Sequence, residues 1–444
     1  MLDESLLDAP EALARADALG LLRGAAQAGA RVRTALRQAT EAGLGKLQPD
    51  GRPRALLVAG PGPATACIAD VLGGLTNGAL PVTRLRPSGA LAASGALRWS
   101  LPGWAGPLDL LLLVTPDGTE PGLTALVEQA YRRGCTVVAV TPSGVPLAES
   151  IGETRGLAVP LAPGPHAIYA SPDLPSHPAE PTRPDAADIP RAPDAGSNDT
   201  VPRDAALSDA ALSDSGPGHR AGGESTRHPT QPGEGLPSAA PGTFWALLTP
   251  LLLLTDRLGL AQSGPSAIEA LADRLDTVAE RCGPAIAPYS NPGKTLAAEL
   301  AGALPLLWSE GDIAGAAARH WVAALGALPG RPALAAELPE AMTSHGALLS
   351  GSFAAGSTED DFFRDRVAEP ESLHARVVLV RDSPPGADSS AVAARDLTYA
   401  HDTPLSELEP AEGSSALEAA AELIATADFA AVYLTIADSD SPWA

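Results

Sequence analysis

At 444 residues, 45% of them apolar, the chain is long enough for two or three domains and apolar enough to bury sizeable cores. Its formal net charge of −23, with no Lys/Arg cluster standing out, excludes polyanion binding over a broad surface, so nucleic acid is not an expected partner. A small phosphate site remains open to it, because such sites use backbone N–H groups and helix N-termini rather than net charge.

The N-terminal stretch MLDESLLDAPEALARAD carries acids where a signal peptide needs a basic region and an apolar core. An Ala/Leu-rich helix pattern follows, from about Pro10 to Gly43. RALLVAG (Arg54–Gly60) is a short continuous apolar run ending in glycine, expected as a buried parallel strand. A helix near Ala64–Leu75, a strand near Pro81–Leu85, the strand DLLLLV (Asp109–Val114), a helix near Gly122–Arg133 and the strand CTVVAV (Cys135–Val140) complete an alternating series. Strand–helix alternation with short turns predicts a parallel sheet with helices on both faces.

From about Ala162 to Thr243 the sequence turns to Pro, Ser, Asp and Gly with isolated aliphatic residues. Such a segment cannot bury enough apolar surface to offset the entropy of ordering, and a disordered linker is expected at 162–243. The alternation restarts afterwards. Phe244–Leu260 is apolar, but Pro250, Asp256 and Arg257 interrupt it, which predicts a buried helix rather than a membrane span. Helices are expected near Pro265–Cys282, Gly293–Ala303, Ile313–Leu325, Pro339–Leu349, Ser415–Thr426 and Asp428–Ile436, with strands at Leu304–Ser309 and Ala375–Asp382. The domain reading is therefore 1–161, a linker at 162–243, and 244–444.

Cys67, Cys135 and Cys282 lie far apart, which argues against a disulfide framework or a zinc site and for a reducing, cytoplasmic compartment. In open parallel sheets, ligands bind at the carboxyl ends of the strands near a topological switch point. Two loops qualify. Gly60-Pro61-Gly62-Pro63-Ala64-Thr65 is no dinucleotide fingerprint, since the third glycine is missing and the prolines remove donors. Thr115-Pro116-Asp117-Gly118-Thr119-Glu120-Pro121-Gly122 is the better phosphate candidate, offering backbone N–H groups and the Thr115 and Thr119 hydroxyls. An Asp-Gly turn followed by a helix capped by Thr119 or Glu120 accounts for it equally well.

These loops, with ALVEQAYRRGCTVVAVT after the second of them and YSNPGKTLAAELAGALPLLWSEG (Tyr289–Gly311), GAAARHW (Gly315–Trp321) and AELPEAM (Ala336–Met342), resemble the bifunctional phosphoglucose/phosphomannose isomerase family. More narrowly they resemble its actinobacterial branch, usually labelled mannose-6-phosphate isomerase. The resemblance implies two SIS (sugar isomerase) domains, each an α/β parallel sheet flanked by helices. It also implies a hexose 6-phosphate ligand, a homodimer, and neither metal nor cofactor.

On that resemblance Gly60 and Gly62 fall in the family's first loop, and Thr115, Gly118 and Thr119 in its phosphate loop. Asn291 and Lys294 fall at the active-site rim. The family's serines are replaced by Ala64 and Asp117, and the position of its catalytic glutamate is taken by Ala327. A family histidine is matched, two positions displaced, by His345. Glu340 and His345 are the substitute acid–base pair, although five residues apart they stand roughly 140° apart around a helix, and a surface or structural role for His345 is the alternative; Glu337 and Glu310 are further carboxylates, and His320 is expected in packing or facing solvent. Two functions follow: an aldose–ketose isomerase with rearranged residues, or a non-catalytic sugar-phosphate sensor. The Ala/Leu-rich helices before Gly43 and at Phe244–Leu260 carry apolar surface that a dimer would cover.

Overall fold

A computed structural model describes residues 2–46, 51–89, 95–154, 156–161, 241–354 and 373–438. Nearly all of the expected linker lies outside them.

Four short helices open the chain: α1 (Glu4–Leu7), α2 (Pro10–Ala16), α3 (Leu21–Ala26) and α4 (Ala28–Glu41). The single helix expected over Pro10–Gly43 is thus broken twice. Gly20 adopts φ +66, and the Asp17 carboxylate accepts the N–H groups of Leu21 and Leu22 at 2.7 and 3.0 Å, which restarts the helix as α3.

The first sheet follows as β1 (Ala55–Ala59), α5 (Gly62–Leu75), β2 (Val82–Arg84), β3 (Asp109–Val114), α6 (Pro121–Arg133), β4 (Thr136–Thr141), α7 (Pro146–Glu153) and β5 (Leu157–Pro160). All pairs are parallel in the order β2-β1-β3-β4-β5. Every residue of β1 and β3 is buried, which is why both read as unbroken apolar runs.

The second half begins with α8 (Thr243–Arg257), α9 (Pro265–Arg281) and α10 (Pro292–Leu300). Then come β6 (Ala303–Glu310), α11 (Asp312–Ala327), β7 (Leu334–Glu337), α12 (Glu340–Ser350), β8 (His374–Arg381), α13 (Ala391–Ala400), β9 (Leu405–Leu408) and α14 (Ala416–Ala437). The parallel order β7-β6-β8-β9 repeats that of the first four strands. Each sheet therefore has one switch point, between β1 and β3 and between β6 and β8.

The apolar segment Phe244–Leu260 is a buried helix, as expected, and Pro250 sits inside it. It packs on α4, so the two surfaces expected to meet a second copy cover one another within the chain. The two helices expected at the C-terminal end form one, α14, started by a capping box between Ser415 and Glu418. Its length and apolarity would suffice to cross a bilayer, but 94% of its apolar window is buried inside the fold. It runs through the main core as the helix on which α9, α10 and α11 pack.

The helix after β1 and the helix after β6 also meet directly. Asp70 of α5 receives the Arg319 Nε of α11 at 2.7 Å, while a Cβ at Gly74 would lie 3.1 Å from Asp312 and 3.0 Å from Ile313. As α5 advances, its α11 partner recedes, so the two run antiparallel. The amino end of α5 therefore lies towards the Ala327 end of α11.

Candidate functional site

The first switch point is built by two turns at the carboxyl ends of β1 and β3. A Cβ at Gly60 would stand 2.0 Å from the Val114 carbonyl oxygen, so only glycine lets the two strand ends approach this closely. Gly62 has φ +75 and begins α5. Among the described residues, no side chain caps that helix. Pro61 and Pro63 have no N–H, so its free amides are those of Gly62 and Ala64, a partial positive charge at the carboxyl edge of the sheet.

The second turn is closed by its own side chains. The buried Thr115 hydroxyl donates to Asp117 Oδ1 at 3.1 Å and accepts the Gly118 N–H at 3.1 Å. Asp117 Oδ1 also accepts the Thr119 N–H at 3.1 Å. The carboxylate thus takes up donors that an anion would use. Gly118 has φ +67, and a Cβ there would stand 2.4 Å from both Thr141 Oγ1 and Val145, which explains the glycine. Among the described residues no side chain caps α6, whose N-cap is Glu120, so neither Thr119 nor Glu120 has the capping role that was its alternative.

The second switch point is closed more completely. Asp382, just past β8, accepts the Ile313 and Ala314 N–H groups at 3.0 and 3.2 Å, at the amino end of α11. Glu310, ending β6, accepts the Ser390 N–H and the Ser389 hydroxyl, both at 2.7 Å, at the amino end of α13. Each strand-end carboxylate occupies the helix that follows the other strand. Both amino ends are satisfied internally.

The remaining sequence candidates lie apart from the two glycine turns. Glu340 is exposed and lines a cavity of about 280 Å³ with Ser309, Gly315, Arg319 and Glu337. That cavity is at the carboxyl ends of β6 and β7, beside the first half of α11, not the Ala327 end. His345 is buried, and its Nδ1 accepts the Trp308 indole N–H at 3.0 Å; burial pushes its pKa down. Asn291 caps α10, accepting the Lys294 N–H at 3.0 Å. Lys294 is 1% exposed, and its ammonium donates to the carbonyls of Leu7, Pro284 and Ile286 at 2.7, 2.7 and 2.9 Å.

The structure therefore gathers Gly60, Gly62, Thr115, Gly118 and Thr119, and leaves Glu340, His345, Asn291 and Lys294 elsewhere. The sequence reading offers Glu310 only as a further acid–base carboxylate, where the structure gives it the amino end of α13, and it passes over Asp382, although an acid just beyond a strand and before a helix start is a visible signal. A larger cavity, about 550 Å³, lies at the amino ends of β3, β4 and β5, the edge opposite the turns. Among the described residues, no His, Cys, Asp and Glu group has the arrangement of a metal site.

Residues 289–442, about a third of the chain, match the family model of the bacterial phospho-glucose isomerase C-terminal SIS domain. No curated protein matches the chain. Among solved structures it resembles a hypothetical protein from Thermus thermophilus, with 12% identity, a TM-score of 0.54, and coverage of 97% of this chain and 89% of that one. It also resembles the tagatose-6-phosphate ketose/aldose isomerase from Escherichia coli, with 13% identity, a TM-score of 0.50, and coverage of 96% of this chain and 93% of that one. At such identities the likeness shows the fold, a pair of SIS-type parallel sheets flanked by helices.

Proposed function

We propose that the chain binds a sugar phosphate of the hexose 6-phosphate class at the turns of Gly60–Gly62 and Thr115–Thr119, and that it has lost isomerase catalysis. The observation carrying this reading is the antiparallel packing of α5 and α11. It directs the Ala327 end of α11 towards the uncapped amino end of α5, so where the resembled family carries its base this chain has a methyl group. A proton cannot move between C1 and C2 without a base in reach. Binding without turnover suits a sensor or a sequestering protein.

The test is calorimetric titration with fructose, glucose and mannose 6-phosphates beside a coupled isomerase assay. Heat of binding with no turnover supports the reading. Turnover overturns the loss of catalysis, and no heat with any of the three overturns the ligand.

A second reading keeps isomerisation, with Glu340 as base and His345 as acid. Its support is the isomerase family match over residues 289–442 and the solvent-open place of Glu340 beside Arg319. Glu340→Gln would abolish turnover on this reading. We further propose the domain division 1–161 and 244–444 around the segment 162–243, a cytoplasmic location, and a homodimer. The dimer rests on the family resemblance alone, since the helices first expected to form it cover one another.

A further inference from the structure

This inference rests on the sugar-phosphate reading and extends its site. β2 lies beside β1 in the register Val58↔Arg84, and the Leu85 N–H donates to the Val58 carbonyl at 2.8 Å. The ladder thus continues past Arg84 and sets Arg86 about level with Gly60. Leu85 packs into the core on the α6 side, while Val82 packs with the core around α5, so positions 82, 84 and 86 share the α5 face.

Arg84 senses the charge of Asp70 on α5. From Arg84 to Arg86 the strand rises roughly 6–7 Å. The helix covers that distance in about four residues, from Asp70 back to Ala66. Arg86 consequently stands beside Ala66 in the second turn of α5, next to the uncapped start of the helix.

Neither arginine has a hydrogen bond or ion pair among the described residues. Asp70 is already bonded to Arg319 at 2.7 Å. Some other arginines pair with carboxylates, as Arg33 does with Asp273 and Asp276, Arg54 with Asp109, and Arg395 with Glu407. Arg84 and Arg86 instead face each other's charge. Partial burial and then the charge of Arg86 push the Arg84 guanidinium down from its ordinary value. In a chain of net charge −23, two close guanidinium groups with no hydrogen bond or ion pair of their own leave donors that an anion would satisfy.

We propose that Arg84 and Arg86 are the cationic arm that holds the phosphate group over the Gly60–Gly62 turn. The arm selects a phosphate ester over the free sugar. It supplies the positive charge that Asp117, lying in the other turn, works against.

The test uses the full chain with Arg84→Gln/Arg86→Gln and Arg84→Lys/Arg86→Lys, titrated with fructose 6-phosphate and, separately, with inorganic phosphate. Both arginines are exposed, so neither variant should change the melting temperature of the unliganded protein. Affinity for both titrants should fall at least tenfold in the Gln variant and be largely kept in the Lys variant. If wild type binds fructose 6-phosphate and the Gln variant binds it equally well, the arm is overturned while the sugar-phosphate reading stands. If wild type binds inorganic phosphate through these arginines but not the sugar ester, the arm stands and the sugar reading falls. Binding of neither overturns both.

Discussion

The His320 Nε2 lies 2.7 Å from Asp428 Oδ1, with both side chains buried where α11 and α14 meet. Phe244 of α8 stacks at a tilt on the imidazole, 5.7 Å between ring centres, and Cys67 of α5 reaches it from the first half. The pair therefore sits on the seam between the two sheets. Burial alone would lower the His320 pKa, but the Asp428 charge and then Cys67 outweigh it and hold the pKa well above its ordinary value. Cys67 itself is pushed up, chiefly by burial.

A group whose pKa is raised on folding stabilises most where both states are protonated. That contribution is complete below about pH 6.5, the ordinary histidine value, and is lost as pH rises through the higher folded value. Denaturant unfolding at pH 6 and pH 9 should show the loss in wild type and a shallower dependence in His320→Gln. Equal slopes would remove His320 as the titrating group. Asp428→Asn, which leaves a buried imidazolium without its carboxylate, should cost about 3–5 kcal/mol at pH 6.

Lys294 yields a separate prediction, because the resemblance places it at the active-site rim while the structure places it inside. Its ammonium satisfies three carbonyls and lies 5.6 Å from the centre of the Tyr433 ring. Lys294→Met keeps the bulk but strands those acceptors, and should cost about 3 kcal/mol of stability. Affinity for fructose 6-phosphate should stay within twofold of wild type. A large affinity loss at unchanged stability would return Lys294 to the site.

The second switch point should respond to Asp382→Ala. That change removes the acceptor of two amides at the start of α11 and should destabilise by about 1.5–3 kcal/mol. Titration calorimetry of wild type should give one sugar phosphate per chain, because the second half is closed by Glu310 and Asp382. Two equivalent sites in wild type would contradict this.

How much of this was legible depended on whether a residue's role was local. The central strands β1, β3, β4, β6 and β8 were visible, because buried parallel strands are continuous apolar runs. β5, β7 and β9 were missed because none is the unbroken buried run that marks a central strand, although the still shorter β2 was expected. The glycine turns were legible since their geometry needs those residues. Asn291 was legible as the start of a helix before Pro292, which it caps, whereas the fate of the Lys294 ammonium and of His345 was not, because it depends on the distant Leu7 and Trp308. Likewise Asp117 reads as a charge hostile to phosphate, and only the fold shows it bonded to the Thr115 hydroxyl and the Thr119 amide.

That last arrangement permits a paired prediction on the first switch point. Thr119 is exposed and caps no helix, so Thr119→Ala should leave stability within about 0.5 kcal/mol of wild type. If its hydroxyl holds the phosphate, the same change removes a charge-assisted hydrogen bond worth about 1.5–3 kcal/mol, and affinity should fall about ten- to a hundredfold. Asp117→Ser should move affinity the other way. It removes a carboxylate that competes for the Thr119 N–H, and its shorter hydroxyl leaves room for the anion. Calorimetry of both variants with fructose 6-phosphate, at one pH and salt concentration, reads the two shifts. Opposite shifts place the phosphate in the Thr115–Thr119 turn. Unchanged affinity in both variants would confine it to the Gly60–Gly62 turn, and weaker binding in Asp117→Ser would make that carboxylate a support of the loop rather than a competitor.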